Sequence, residues 1–335
     1  MNKRPSYSLT FLLIIVSCAI TYFINEYLHC KISEKTNQTI SAIESNPSQY
    51  KMERLGGYKL IKPLVLAEPI EESLKYSEVK TNLIDYIEKL KSQKRLISAS
   101  VYLKDLDHGE WMCINDSETY YPGSLIKVPG LITYLKMAEK NPAIFNKKIR
   151  FNSPQKTIPN QTYNSKQIES GKEYSVQQLL KYMISYSDNN ATYLLNKNVD
   201  LKAFHQLFSD LNIPKLTISN SKITARNFSA FFNVLFNASY LNKEYSEYAV
   251  ELLEECDFKL GLVKGLPVNT VVAHKFGEMG DETTRQLHES GIIYINSTPY
   301  LLTIMTKGYD IKELPEIIAE ISKLVYEDFI KTSVN

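Results

Sequence analysis

The chain has 335 residues, with 39 Lys and Arg against 37 Asp and Glu, for a net charge of +2. Near-balance offers little to a polyanion, which argues against nucleic acid as a partner. A hydrophobic share of 44% with 23% charged residues is that of a globular protein with a sizeable core, and it excludes a disordered chain or a long coiled coil.

The first feature along the chain is "LTFLLIIVSCAITYFI", residues 9 to 24, which carries no charge and follows Lys3 and Arg4. A helix of that length rises about 24 Å, a little short of a hydrocarbon core of roughly 30 Å. The basic residues on the near side orient residues 1 to 8 as a cytoplasmic tail, with the rest of the chain outside. A single-pass anchor is the leading expectation. A cleaved signal peptide, which would leave a secreted protein, is one alternative. The other is a lipoprotein modified at Cys18, because Ile15-Val16-Ser17-Cys18 resembles a lipobox. Residues 25 to 60 are polar and poor in aliphatics, which reads as a stalk. The folded domain is expected over 61 to 335.

Leu74, Val79, Leu83, Ile84, Ile87 and Leu90 recur at helical spacing, predicting a helix before residue 95. "LISASVYLKDLDHGEWMCIN" alternates on both sides of Asp107-His108-Gly109-Glu110, which predicts a hairpin. From Ser124 to about Glu255 the signals are mainly helical. "NTVVAHKFGE" and "SGIIYINSTPYLLTIMTKG" return to strand, and "IKELPEIIAEISKLVYEDFI" closes as an amphipathic helix. Strands at both ends with helices between them imply one sheet built from distant sequence, with a helical lobe inserted. Cys113 and Cys256 form either a disulfide or two buried thiols. No Cys/His spacing suggests zinc, and no cofactor is expected.

Three short stretches could carry chemistry. Ser124-Leu125-Ile126-Lys127 follows a Pro122-Gly123 turn, so the serine opens a helix whose free N–H groups favour an oxyanion. Lys127, on the same helix face, would serve as a base if burial lowers its pKa. Serine precedes lysine by three residues five times in this chain, so the spacing alone means nothing; an N-cap serine with a solvated lysine is the plain alternative. Ser187-Asp188-Asn189 lies between two helices, where it could equally be a cap. Lys275-Phe276-Gly277 lies on a late strand, where an edge lysine is the ordinary reading.

Together and in this order, Ser-x-x-Lys, Ser-Asp-Asn and Lys-x-Gly resemble the penicillin-recognising serine hydrolases, closest to class A β-lactamases. The resemblance covers about residues 60 to 330. It implies an α/β fold of the β-lactamase/transpeptidase type: an antiparallel sheet flanked by helices, an all-helical lobe, and a cleft between them. By that resemblance Ser124 is the acylated nucleophile, Lys127 its base or proton relay, and Ser187 a proton shuttle to the leaving nitrogen. Lys275 steadies that path and attracts a carboxylate, and Asn189 binds the substrate amide. The N–H groups of Ser124 and Glu278, beside Gly277, form the oxyanion hole, and Tyr163 walls the cleft.

Two departures qualify this. The family's deacylating glutamate sits in a long loop after the second motif, whereas here no Glu occurs between Glu173 and Glu244. A long-lived acyl-enzyme is therefore expected. The hydroxyl residue that normally follows the third-motif lysine is Phe276, which cannot bond a carboxylate. The sequence thus predicts a membrane-anchored, extracytoplasmic, monomeric serine hydrolase acting on β-lactam or peptidoglycan-peptide amides. The rivals are a non-turnover wall-binding sensor, or another amide or ester hydrolase such as the β-lactamase-like glutaminases.

Overall fold

A computed structural model describes residues 50–152, 162–163, 165–216, 221–281, 283–295 and 298–333. The expected tail and the expected apolar segment 9 to 24 lie outside the described residues, as do Cys18 and most of the expected stalk. Among the described residues no helix is long and apolar enough to cross a membrane. The stalk expectation ran too far. Strand β1, Tyr50–Arg54, pairs antiparallel with β2, Leu64–Pro69, so residues 50 to 60 already belong to the compact unit Tyr50–Asn335. Its polar composition misled because β1 is largely solvent-facing.

Helix α1, Ser77–Ser92, buries Val79, Leu83, Ile87 and Leu90; each such aliphatic contributes roughly 1.5–3 kcal/mol when fully buried. Ile84, included in the sequence pattern, points outward and is 39% exposed. The predicted hairpin follows as β3, Leu96–Asp105, and β4, Trp111–Ile114. Its turn is fixed by the Asp105 carboxylate, which accepts the N–H groups of Asp107 and His108 at 2.9 Å.

The late strands are β7 (Val271–Gly280), β8 (Arg285–Ile295) and β9 (Thr298–Gly308), after two short strands, β5 (Lys148–Arg150) and β6 (Glu173–Ser175). The main sheet is five-stranded and antiparallel in the order β4-β3-β9-β8-β7. The hairpin from residues 96–114 thus joins strands from beyond 270, as strands at both ends of the chain predicted.

Each sheet face closes its own core, because successive side chains point to opposite faces. Leu301 and Met305 enter the core shared with the helical layer. Tyr300, Leu302 and Ile304 enter the other, with α1 and the closing helix α8, Leu314–Ser333. The helical layer holds α2 (Lys127–Lys140), α3 (Val176–Ser185), α4 (Asn189–Asn196), α5 (Leu201–Asp210), α6 (Ala225–Phe236) and α7 (Lys243–Glu254). Cys113 and Cys256 are free and buried, one in each core. Of the two expectations, buried thiols are what the structure shows.

Candidate active site

Ser124 lies in a 3-10 turn, Gly123–Ile126, that leads into α2 at Lys127. The serine is therefore in a tighter turn than the helix start expected of it. Pro129 then falls in the first turn of α2, where its missing N–H has no partner to lose. No bend is required, and its carbonyl accepts the Thr133 hydroxyl at 2.8 Å.

The turn sits directly on strand β7. Gly123 adopts φ +54°, and a Cβ there would lie 2.5 Å from the Glu278 carbonyl oxygen. A Cβ on Gly277 would meet the Pro122 oxygen at 2.4 Å and the Ser124 nitrogen at 3.0 Å. Only two glycines permit this approach, which brings the Ser124 amide beside the backbone of residues 277 and 278. Side chains of β8 hold the incoming chain. His288 Nε2 donates to the Tyr121 carbonyl at 3.0 Å and Nδ1 accepts the Thr306 N–H at 3.2 Å. Gln286 Oε1 accepts the Tyr121 N–H at 3.2 Å. Burial pushes the His288 pKa down to about 4, so the ring stays neutral in this tautomer. Gln286 and His288 are positioning residues that sequence reasoning missed; nothing in the linear pattern ties them to residue 121.

Lys127 is 3% exposed, and its Nζ reaches three oxygens: Ser187 O at 2.6 Å, Asn189 Oδ1 at 2.8 Å and Ser187 Oγ at 3.1 Å. Burial holds its pKa well below the ordinary lysine range, and the charge of Lys275 lowers it further. Ser187 is itself buried and adopts φ +54°, a left-handed conformation that costs a non-glycine residue about 1–2 kcal/mol. The cap reading of the second motif is also correct, but for its middle residue. Asp188 caps α4 by accepting the Asn190 N–H at 2.8 Å, and its other oxygen accepts the Ile168 N–H at 2.8 Å. The motif divides its labour: Asp188 builds the turn, while Ser187 and Asn189 face the lysine.

Lys275 lies on β7, which is the sheet edge, yet it is fully buried. Burial lowers its pKa to about 8 against the raising influence of Cys256, Asp257, Glu289 and Glu278. Its Nζ donates to the Phe276 carbonyl at 3.1 Å and lies 4.2 Å from the centre of the Phe276 ring. Alternation places Lys275 and Gly277 on the face of Ala273, toward the helical layer. Phe276 takes the opposite face and stacks on Phe258 at 4.3 Å between ring centroids. Tyr163 meets both rings edge-on and donates its hydroxyl to the Ile311 carbonyl at 3.0 Å. Glu278 Oε1 accepts the N–H groups of Thr162 and Tyr163 at 2.7 and 3.3 Å, and burial raises its pKa. Of the eight residues singled out from the sequence, Lys127, Ser187 and Asn189 are bonded together beside the Ser124 turn. Gly277 and Glu278 meet that turn from β7, which also carries Lys275. Tyr163 packs instead on Phe258 and Phe276 on the opposite sheet face, its backbone N–H held by the Glu278 carboxylate.

A family model described as the beta-lactamase enzyme family matches residues 82–329. This is most of the chain, and the protein belongs to that family. Solved structures agree on the fold. PBP-A has a TM-score of 0.61 at 20% identity, covering 75% of this chain and 97% of its own. A β-lactamase from Chitinophaga pinensis has a TM-score of 0.64 at 18% identity, covering 76% and 100%. A class A β-lactamase from Bacteroides cellulosilyticus has a TM-score of 0.64 at 20% identity, covering 76% and 99%. A point mutant of PBP-A has also been solved as an acyl-enzyme complex with penicillin G. No curated protein sequence matches. The chain is a β-lactamase-like serine hydrolase.

Proposed function

We propose that this hydrolase works by acylation of Ser124 on a β-lactam or peptidoglycan-peptide amide, and that it releases the acyl group slowly. The observation that carries the first half is the Lys127 ammonium site. A buried lysine beside the nucleophile, bonded to Ser187 and Asn189 and repelled by Lys275, is poised to lose its proton. As a neutral amine, Lys127 takes the Ser124 proton as Oγ attacks the carbonyl carbon. The tetrahedral oxyanion forms against the N–H groups of Ser124 and Glu278, where the turn meets the strand. The proton then passes through the Ser187 hydroxyl to the leaving nitrogen, the C–N bond breaks, and Ser124 holds the acyl ester.

Hydrolysis of that ester needs a base for water. The carboxylates that act on Lys127 are Asp188 and Glu278. Both oxygens of Asp188 accept backbone N–H groups, and Glu278 is tied to residues 162 and 163. Residues 211–224 connect α5 to α6 without a glutamate. These features support slow release and a role closer to a penicillin-binding protein, PBP-A being one such fold neighbour. A non-turnover sensor is the limit of the same scheme, favoured by the Glu278 tie to the Tyr163 loop. We further propose an extracytoplasmic domain on a membrane anchor at residues 9 to 24, a reading supported by the uncharged run behind Lys3 and Arg4.

The test is labelling of the full-length chain with a fluorescent penicillin, with Ser124→Ala and Lys127→Met alongside. Labelling of the wild type that both variants lose, by at least about a thousandfold in rate, is expected when nucleophile and base act as a unit. Labelling that survives Ser124→Ala overturns the assignment.

A further inference from the structure

The β1–β2 hairpin carries a surface that the acylation scheme leaves unused. Its base is fixed: Leu55 and Leu66 pack against the core, and Val65 lies within it. Its tip is open. The Leu55 N–H donates to the Pro63 carbonyl at 2.9 Å, and the Arg54 guanidinium donates to the Lys62 carbonyl at 2.8 Å. These bonds close the loop "GGYKLIK", residues 56 to 62, in which every residue is exposed. Gly57 turns the chain at φ +85°, and a Cβ on either glycine would touch nothing within 4 Å.

The tip therefore projects, and the side chains it presents are apolar. Tyr58, Leu60 and Ile61 are 56%, 89% and 58% exposed. A single exposed leucine needs no explanation, but large apolar side chains side by side mark a contact surface. The patch continues down one face of the hairpin. Side chains alternate along β1, so Met52 shares a face with Tyr50 and Arg54, and the Arg54 guanidinium reaches the Met52 sulfur at 3.7 Å. Both Tyr50 and Met52 are exposed.

Charge decides what kind of surface fits the patch. Residues 50 to 66 hold Lys51, Arg54, Lys59 and Lys62 against Glu53, a net +3, whereas the whole chain carries only +2. The Glu53 carboxylate is taken up by Lys51 and by the Asn212 amide. A second copy of the chain would set like charge on like charge. An anionic polymer would take the lysines and leave Leu60 and Ile61 in water. An anionic bilayer suits both features. Leu60 and Ile61 enter the acyl boundary, and Tyr58 lies at headgroup level. Lys59 and Lys62 lay their stems along the apolar surface and reach the phosphates.

We propose that the tip of the β1–β2 hairpin, residues 56 to 62, docks on an anionic lipid surface. The contact stands on the exposed tip; its proximity to a bilayer rests on the anchor reading above. Residues 25 to 49 lie between the uncharged run 9 to 24 and β1, and a segment of that length spans at most about 85 Å. A contact too small to hold a free protein is populated when the chain is already tethered, because docking is then intramolecular. Tail and tip together fix the orientation of the domain on the membrane.

The experiment incorporates the full-length chain carrying Leu60→Trp into phosphatidylcholine vesicles, with or without phosphatidylglycerol, that contain acyl-brominated lipid. The wild type gives the background, because its single tryptophan, Trp111, is buried. In anionic vesicles the new tryptophan should emit at shorter wavelength and be quenched by bromine. Adding Lys59→Gln and Lys62→Gln should lower the docked-to-free ratio about fivefold for each lysine. Unquenched emission at the wavelength of a water-exposed indole overturns the inference, as does equal quenching in neutral vesicles. A blue shift without bromine quenching means that protein, such as a second copy, covers the tip, and also overturns it. Flotation with neutral vesicles and the mass of the recovered chain test the anchor separately. If the chain does not float with them, or has lost its leader, the anchor reading fails. The same quenching at saturating anionic lipid then decides the tip by itself.

Discussion

Ser124 stands between two neighbourhoods that obey different rules. On the helical side, Lys127, Ser187 and Asn189 are joined by bonds of 2.6 to 3.1 Å and supply the polar groups of the proposed acylation. On the strand side, Lys275 is retained but enclosed. Its Nζ is spent on the Phe276 carbonyl and ring, and the next side chain offers an aromatic face to Phe258 and Tyr163 instead of a hydroxyl. On the proposed reading, attack and substrate capture are separable: the helical side carries the nucleophile chemistry, and the strand side, with Phe276 where a hydroxyl would bond a carboxylate, bears on recognition.

The strongest way to break the comparison is at the contact between the two sides. Gly277→Ala puts a Cβ within 3.0 Å of Ser124 N and closer still to Pro122, so the turn and strand must separate. Displacing a reacting group by about 1 Å costs on the order of a hundredfold in rate. Acylation by a fluorescent penicillin should therefore fall by about that factor while far-ultraviolet circular dichroism stays unchanged. An active Gly277→Ala enzyme would show that the amide pair is not the oxyanion site.

Glu278 sharpens the contrast in recognition. Its carboxylate lies among the charges acting on Lys275 and Lys127, and it repels a substrate carboxylate. At an effective dielectric of about 40 and a separation of about 8 Å, that repulsion is about 1 kcal/mol, or roughly fivefold. Glu278→Gln should raise acylation by an anionic penicillin by that factor and leave its uncharged methyl ester unaffected. Equal gains for both would locate the effect in the freed Tyr163 loop instead.

The smallest effect separates strain from chemistry at Ser187. Ser187→Gly relieves the left-handed backbone and should leave stability equal or up to about 1 kcal/mol higher than Ser187→Ala. Both variants lose the hydroxyl and should acylate slowly. Denaturant titration read beside the labelling rate checks this; a fast Ser187→Gly enzyme would remove the serine from the proton path.

Much of this arrangement was legible in the chain. The sheet built from both ends, the hairpin at 96–114 and the three motifs rest on local periodicity and order, which a linear reading captures. Residues whose role depends on packing were not legible. Gln286 and His288 act on Tyr121 from a strand more than a hundred and sixty residues away. Phe276 could be seen to lack a hydroxyl, but its stacking on Phe258 required the tertiary structure. Residues 50 to 54 read as linker because β1 meets solvent along most of its length. The cap and functional readings of Ser187-Asp188-Asn189 competed in the sequence, and in the structure adjacent residues satisfy both.

The proposal that Ser124 is acylated and only slowly released is tested most directly by intact-mass spectrometry of the full-length chain after a pulse of penicillin. A single adduct on the Ser124 peptide that persists for many turnover times of an efficient β-lactamase is the predicted result. An adduct that disappears within seconds, with stoichiometric excess hydrolysis of the drug, would contradict it, since some group at the site would then be activating water.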